Sequence, residues 1–104
     1  MYNHNEVCEW VIQFPIGKQI SLVTKSFSLE NDGSLCRYDF LEIRDGETKY
    51  SPLFGKFCGS AKPPHFISTG NYLYIKFKSD YSFADNGFQL EYSDAPISKI
   101  MFFI

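Results

Sequence analysis

Three acids in this chain stand where short apolar runs begin or end, and that placement is what could do chemistry. Glu30 follows Phe27-Ser28-Leu29, Asp39 opens Asp39-Phe40-Leu41-Glu42-Ile43, and Asp80 follows Phe77-Lys78-Ser79. Three acids at the ends of such runs could converge at one edge of a fold. Taken singly, each is most simply a solvated or capping acid, and periodicity does not show that they converge. An EF-hand loop starting at Asp80 would put Ser82 and Glu91 at its third and twelfth positions. Its sixth position, which needs glycine for a sharp turn, is Asp85, so that reading fails.

The sulfur and imidazole groups carry less chemistry. Cys8, Cys36 and Cys58 form no C-x-x-C pair, and His4 and His65 lie far apart, so a tetrahedral zinc site has poor support. An odd cysteine count suggests one disulfide and one remaining thiol; three buried, reduced cysteines are the alternative. Cys8 falls on the apolar face with Trp10 and Ile12, where a cysteine behaves as a small hydrophobe rather than a nucleophile. His65 follows Pro63-Pro64 and has no evident partner in the sequence. There is no G-x-S-x-G elbow, H-E-x-x-H helix or phosphate-binding loop, so nothing points to an enzyme.

Composition narrows the class further. The chain has 104 residues, a formal net charge of −2, 44% apolar residues and 18% aromatics. That length fits one domain with a real core. The lack of a Lys/Arg cluster argues against nucleic-acid binding. No apolar stretch is long enough to span a membrane. With no charged-then-apolar leader, any secretory signal is expected to have been removed or to lie outside this segment.

Period-two alternation recurs along the chain, and sustained helical periodicity does not. Cys8, Trp10, Ile12 and Phe14 share a face, and Ile20, Leu22 and Thr24 form a second series that Phe27 and Leu29 continue. Asp39, Leu41 and Ile43 make a third, Leu73, Ile75 and Phe77 a fourth, and Phe88, Leu90 and Tyr92 close the set. Asn31-Asp32-Gly33 and Asp45-Gly46 are turn signals. The pattern predicts an all-β protein, an antiparallel sandwich, with Trp10, Leu41, Ile43, Leu73, Ile75, Phe77, Phe88 and Leu90 in its core. Thr48 to Pro64 reads as a long irregular connection. Tyr92 completes the alternation, leaving residues 95–104 as a tail whose run Ile100-Met101-Phe102-Phe103-Ile104 is bare and apolar.

The residues resemble the CUB domain of complement proteases, tolloid-like metalloproteases, cubilin and spermadhesins over residues 1–94. The pieces that carry the resemblance are Cys8-Glu9-Trp10, Phe27-Ser28-Leu29-Glu30, the run from Cys36 to Gly46, Phe57-Cys58-Gly59, Ser68 to Leu73, Phe77-Lys78-Ser79-Asp80 and Gly87-Phe88. The family opens with a cysteine well before its C-x-W strand, so the resemblance implies a domain lacking that cysteine and its first strand or strands. It also implies a Cys36–Cys58 disulfide, with Cys8 kept as a thiol, and a jelly-roll-like sandwich.

The resemblance further implies Ca²⁺ as cofactor, held by Glu30, Asp39, Asp80 and the carbonyl of Ser82. Tyr2 matches a tyrosine that hydrogen-bonds the glutamate. A partner protein's Lys or Arg would then sit among Glu30, Asp80 and Ser82, with Tyr2 or Tyr81 against its aliphatic stem. That makes the domain a non-catalytic, calcium-dependent interaction module, part of a larger secreted protein or cell-surface ectodomain. The alternatives are a calcium-independent, spermadhesin-like carbohydrate- or surface-binding module using Tyr50, Tyr72 or Tyr74, and a structural module of a larger protease or receptor.

Overall fold

The computed structural model describes residues 7–29, 36, 39–79 and 87–95. Seven strands follow one another: β1 (Val7–Gln13), β2 (Gln19–Ser28), β3 (Phe40–Arg44), β4 (Leu53–Phe57), β5 (Phe66–Ile67), β6 (Tyr72–Lys78) and β7 (Gly87–Ala95). They form two antiparallel sheets, one in the order β1-β6-β3-β4 and the other β5-β2-β7. Among the described residues there is no helix. The expected sandwich is what the chain forms.

Alternation decides which side chains meet between the sheets. Leu41 and Ile43 of β3 stand opposite Phe77 and Ile75 of β6, which stand opposite Cys8 and Trp10 of β1 on their other side. Ile20, Leu22, Phe27 and Leu29 close onto them from the second sheet. Burying each such side chain contributes about 1.5–3 kcal/mol, so this cluster is the main source of stability.

One register shift explains why the apolar pattern of β2 changes phase. Thr24 pairs with Leu90, but the next rung pairs Ser26 with Gln89, which leaves Lys25 as an extra residue in β2. Such a bulge flips the alternation. Ile20, Leu22 and Thr24 point inward before it, and Phe27 and Leu29 after it. The shift leaves the buried hydroxyl of Thr24 with no hydrogen-bond partner among the described residues.

Five expectations need correction. The Thr48–Pro64 stretch contains β4, which pairs with β3. Its signal is hidden because Gly55 takes an inward place opposite Ile43, and the Phe57 ring lies where a Cβ on Gly55 would be. Trp10 is 44% exposed instead of buried, because β1 is a sheet edge and nothing described stands beyond it. Cys8, Phe88 and Leu90 are half-buried for the same reason, since β7 is also an edge. His65 does have a partner, with its Nε2 2.6 Å from Ser21 Oγ. β7 also continues past Tyr92 to Ala95.

Two local devices hold the connections. At Asp45-Gly46 the amide of Asp45 donates to Pro52 O at 2.8 Å. Gly46 has φ +152°, and a Cβ there would strike the Ser51 side chain, so glycine is required. Cys36 and Cys58 form the expected disulfide, closing a sequence separation of 22. On the loop-entropy model that link is worth about 3 kcal/mol.

Two substitutions test this account. Leu73→Ala, at a fully buried position, should lower unfolding free energy by about 2–5 kcal/mol in a urea melt. Thr24→Val, which removes the orphan hydroxyl at nearly constant shape, should raise it by about 1 kcal/mol.

Candidate functional site

Four strand ends meet at one end of the sandwich. Ser28, the last residue of β2, pairs with Gly87, the first of β7, and Phe40, the first of β3, pairs with Lys78, the last of β6. Leu29, Asp39 and Ser79 each stand one residue beyond these rungs, so the chain positions next to all three sequence-identified acids come to the same end. The Leu29 amide donates to Gly59 O at 2.8 Å, which ties the end of β2 to the residue after Cys58.

Of the sequence-identified site residues, Asp39 is described, and it is only 1% exposed. A carboxylate so deeply placed at a strand terminus is not the solvated acid that its sequence context also allowed. Asp39, Ser79 and Cys8 all take part in contacts. Glu30, Asp80, Ser82, Tyr2 and Tyr81 lie outside the described residues. Among the described residues no group of three His, Cys, Asp or Glu side chains is placed to hold a metal. Asp45 belongs to the opposite end of β3, where its Oδ1 accepts the Thr69 amide at 3.0 Å.

The outer face of the β1-β6-β3-β4 sheet carries a polar array with no signal in the sequence. Its rungs align Glu9 with Lys76, Lys76 with Glu42, and Glu42 with Lys56, so charge alternates across all four strands. Glu42 is buried and accepts from Arg44 Nε at 2.6 Å, while Arg44 Nη1 donates to Ser51 O at 2.8 Å. Lys56 Nζ stands 4.1 Å from the centre of the Phe40 ring. Tyr74 donates its hydroxyl to Glu9, a residue 65 positions away in sequence. Burial first, then this hydrogen bond and the charges of Glu9 and Glu42, push the Tyr74 phenol up to about 12; nearby Arg44 pulls the other way.

The exposed-aromatic set offered for carbohydrate binding divides. Tyr50 is 83% exposed, Tyr72 is half-buried, and Tyr74 is buried with its hydroxyl engaged, so it offers no stacking surface.

Comparisons with known proteins agree with the fold. The family profile of the CUB domain matches residues 1–92. Neuropilin-2 of Rattus norvegicus is 43% identical over 91 residues, 88% of this chain and 10% of that protein. The chain therefore spans about a tenth of the length of that relative. Among solved structures, the full extracellular region of zebrafish Gpr126/Adgrg6 superposes with a TM-score of 0.79 at 31% identity, over 92% of this chain and 12% of that one. The MASP-1 CUB2 domain bound to Ca²⁺ superposes with a TM-score of 0.77 at 28% identity, over 88% of this chain and 80% of that one.

The Tyr74–Glu9 pair makes a stability prediction with a definite sign. A phenol whose folded pKa lies above its unfolded value holds its proton more tightly in the native state. Its contribution is whole below pH 10 and is lost as pH rises towards 12. The urea midpoint should therefore fall across that interval, and Tyr74→Phe should flatten that part of the slope. At neutral pH the same variant should lose about 1 kcal/mol for the missing hydrogen bond.

Proposed function

The chain belongs to the CUB domain family, and from that premise we propose that it is a calcium-dependent protein-interaction module of a larger extracellular protein. The observation that carries the reading is Asp39, a buried carboxylate at the end of the sandwich where the positions flanking Glu30 and Asp80 meet. The donor set fits the ion. Glu30, Asp39, Asp80 and the Ser82 carbonyl supply only oxygen, which suits a hard cation and not zinc or copper. The comparison domain bound to Ca²⁺ supports the same choice of metal.

Bound there, Ca²⁺ would supply a double positive charge that draws the carboxylates together and holds their loops. What the residues of this chain do follows from electrostatics. Asp39 would offer its carboxylate oxygens to the ion from a buried position. Three carboxylates exceed the charge of one divalent ion, so the site keeps a net negative charge for a partner's Lys or Arg. Glu30, Asp80 and Ser82 would accept from that cation, and Tyr2 or Tyr81 would cover its aliphatic stem. Oxygens already fixed by the ion lose little freedom when the partner arrives.

The Cys36–Cys58 bond supports placement in an oxidising compartment, hence a secreted protein or an ectodomain. We assign no catalytic role to any residue. The calcium-independent alternative is weaker, since of Tyr50, Tyr72 and Tyr74 only Tyr50 presents most of its ring to solvent.

Melting curves in Ca²⁺ and in EDTA test the reading. At a hundredfold excess over Kd the ion should stabilise the fold by about 2.7 kcal/mol. Asp39→Asn should abolish the Ca²⁺-dependent part of the shift, and Asp45→Ala, at the opposite end of β3, should keep it. An immobilised lysine-presenting peptide should retain the protein in Ca²⁺ and release it on chelation or in high salt. A melting temperature that millimolar Ca²⁺ leaves unmoved would end the calcium reading. Retention that survives EDTA would favour the calcium-independent one.

A further inference from the structure

The outer face of the four-stranded sheet carries more cations than carboxylates. Its described strand residues include Arg44, Lys56, Lys76 and Lys78 against Glu9 and Glu42. Arg44 is bonded to Glu42 at 2.6 Å, and Lys76 stands in one rung between Glu9 and Glu42, so these four charges balance. Lys56 and Lys78 are the surplus. Glu42, the acid in the rung of Lys56, already takes Arg44, and the rung of Lys78 holds Val7 and Phe40. Neither lysine forms an ion pair among the described residues.

The surplus gathers at one corner. Lys78 stands directly opposite Phe40, and Lys56 leans from β4 until its Nζ lies 4.1 Å from the centre of the Phe40 ring. Phe40 alternates with the inward Leu41, so it faces out, and it is still only 7% exposed. The quadrupole of the ring attracts the ammonium, which fixes the charge in place without neutralising it. Val7, on the other side of Lys78, is 59% exposed. Val7, Lys78 and Lys56 therefore follow one another across the four strands, spanning about 14 Å at a strand spacing of about 4.8 Å.

We propose that this corner docks an extended acidic segment of a partner protein, in which an apolar residue is followed by acids two and four positions on. Every second side chain of an extended segment faces the same way, at intervals of about 7 Å, so those three residues cover Val7, Lys78 and Lys56 in turn. Holding Lys56 over Phe40 beforehand limits the freedom lost on binding. A sulfated polysaccharide fits less well. Glu9 and Glu42 in the neighbouring rung repel its continuous charge, and its chain offers nothing apolar to Val7.

Fluorescence polarisation with the full chain tests the proposal, in EDTA so that no Ca²⁺ bridges the probe to the chain's own acids. The probes are a labelled peptide containing Val-Thr-Glu-Thr-Glu and its counterpart with both Glu replaced by Gln. The Glu peptide should bind about tenfold more tightly in low salt, and the margin should shrink as ionic strength rises. Lys56→Gln combined with Lys78→Gln should remove the margin, whereas Lys25→Gln, whose ion pair with Glu91 lies on the other sheet, should keep it. If the double variant fails to fold, Lys78→Gln alone should reduce the margin. Equal binding of the two peptides by the native protein would overturn the proposal. So would a margin that survives both substitutions, or a heparin fragment that binds more tightly than the Glu peptide and is released by the same two changes.

Discussion

The Cys36–Cys58 bond is the constraint on which the rest of the molecule leans. It joins the connection that carries the chain from β2 in one sheet to β3 in the other, and it fastens that crossover to the residue directly after β4. Apolar contact presses the two sheets together but is non-directional, and it would tolerate some slide between their ends. The disulfide, with the Leu29–Gly59 hydrogen bond beside it, sets where the end of β2 stands relative to β3. The positions next to Glu30, Asp39 and Asp80 are brought to one end as a result. A disulfide persists in an oxidising setting, which is the setting that the proposed extracellular role would give it.

The two sides of the sandwich are finished differently. The ends of β2, β3, β6 and β7 are drawn together at the buried Asp39, whereas the β1 and β7 edges are left open with aromatic side chains between them. The outer face of the four-stranded sheet is finished a third way, with alternating charges across its rungs and the Tyr74–Glu9 and Arg44–Glu42 pairs over it. That face is largely self-neutralised away from its Phe40 corner. Exposed ion pairs on the three-stranded sheet, such as Lys18–Asp94 at 3.1 Å, add little because water screens them.

Much of the fold was legible from alternation. Leu41, Ile43, Leu73, Ile75 and Phe77 are buried where the period-two pattern put them. The pattern misled at Trp10 and was silent at β4, for related reasons. Alternation reports which face a residue takes, but not whether another strand covers that face, and Trp10 stands on an inward face at an edge. At β4 the inward place belongs to Gly55, whose missing side chain is replaced by the Phe57 ring, so no apolar letter marks the strand. The phase change in β2 was visible as a break between Thr24 and Phe27, yet a bulge and two separate strands look alike until the register is known.

The sequence by itself determined the strand faces, the turn at Asp45-Gly46, the absence of nucleotide- and zinc-binding motifs and, through its resemblance, the disulfide partners and the acids worth watching. These are local or pattern-borne properties, set by side-chain period and backbone preference. Tertiary structure alone decided that Asp39 is buried, that His65 meets Ser21, that Tyr74 meets Glu9, and that two edges flank an apolar groove. Each of these depends on which strands become neighbours and on what covers them. Burial and pairing are relations between segments that can lie tens of residues apart, and no single stretch of chain contains them.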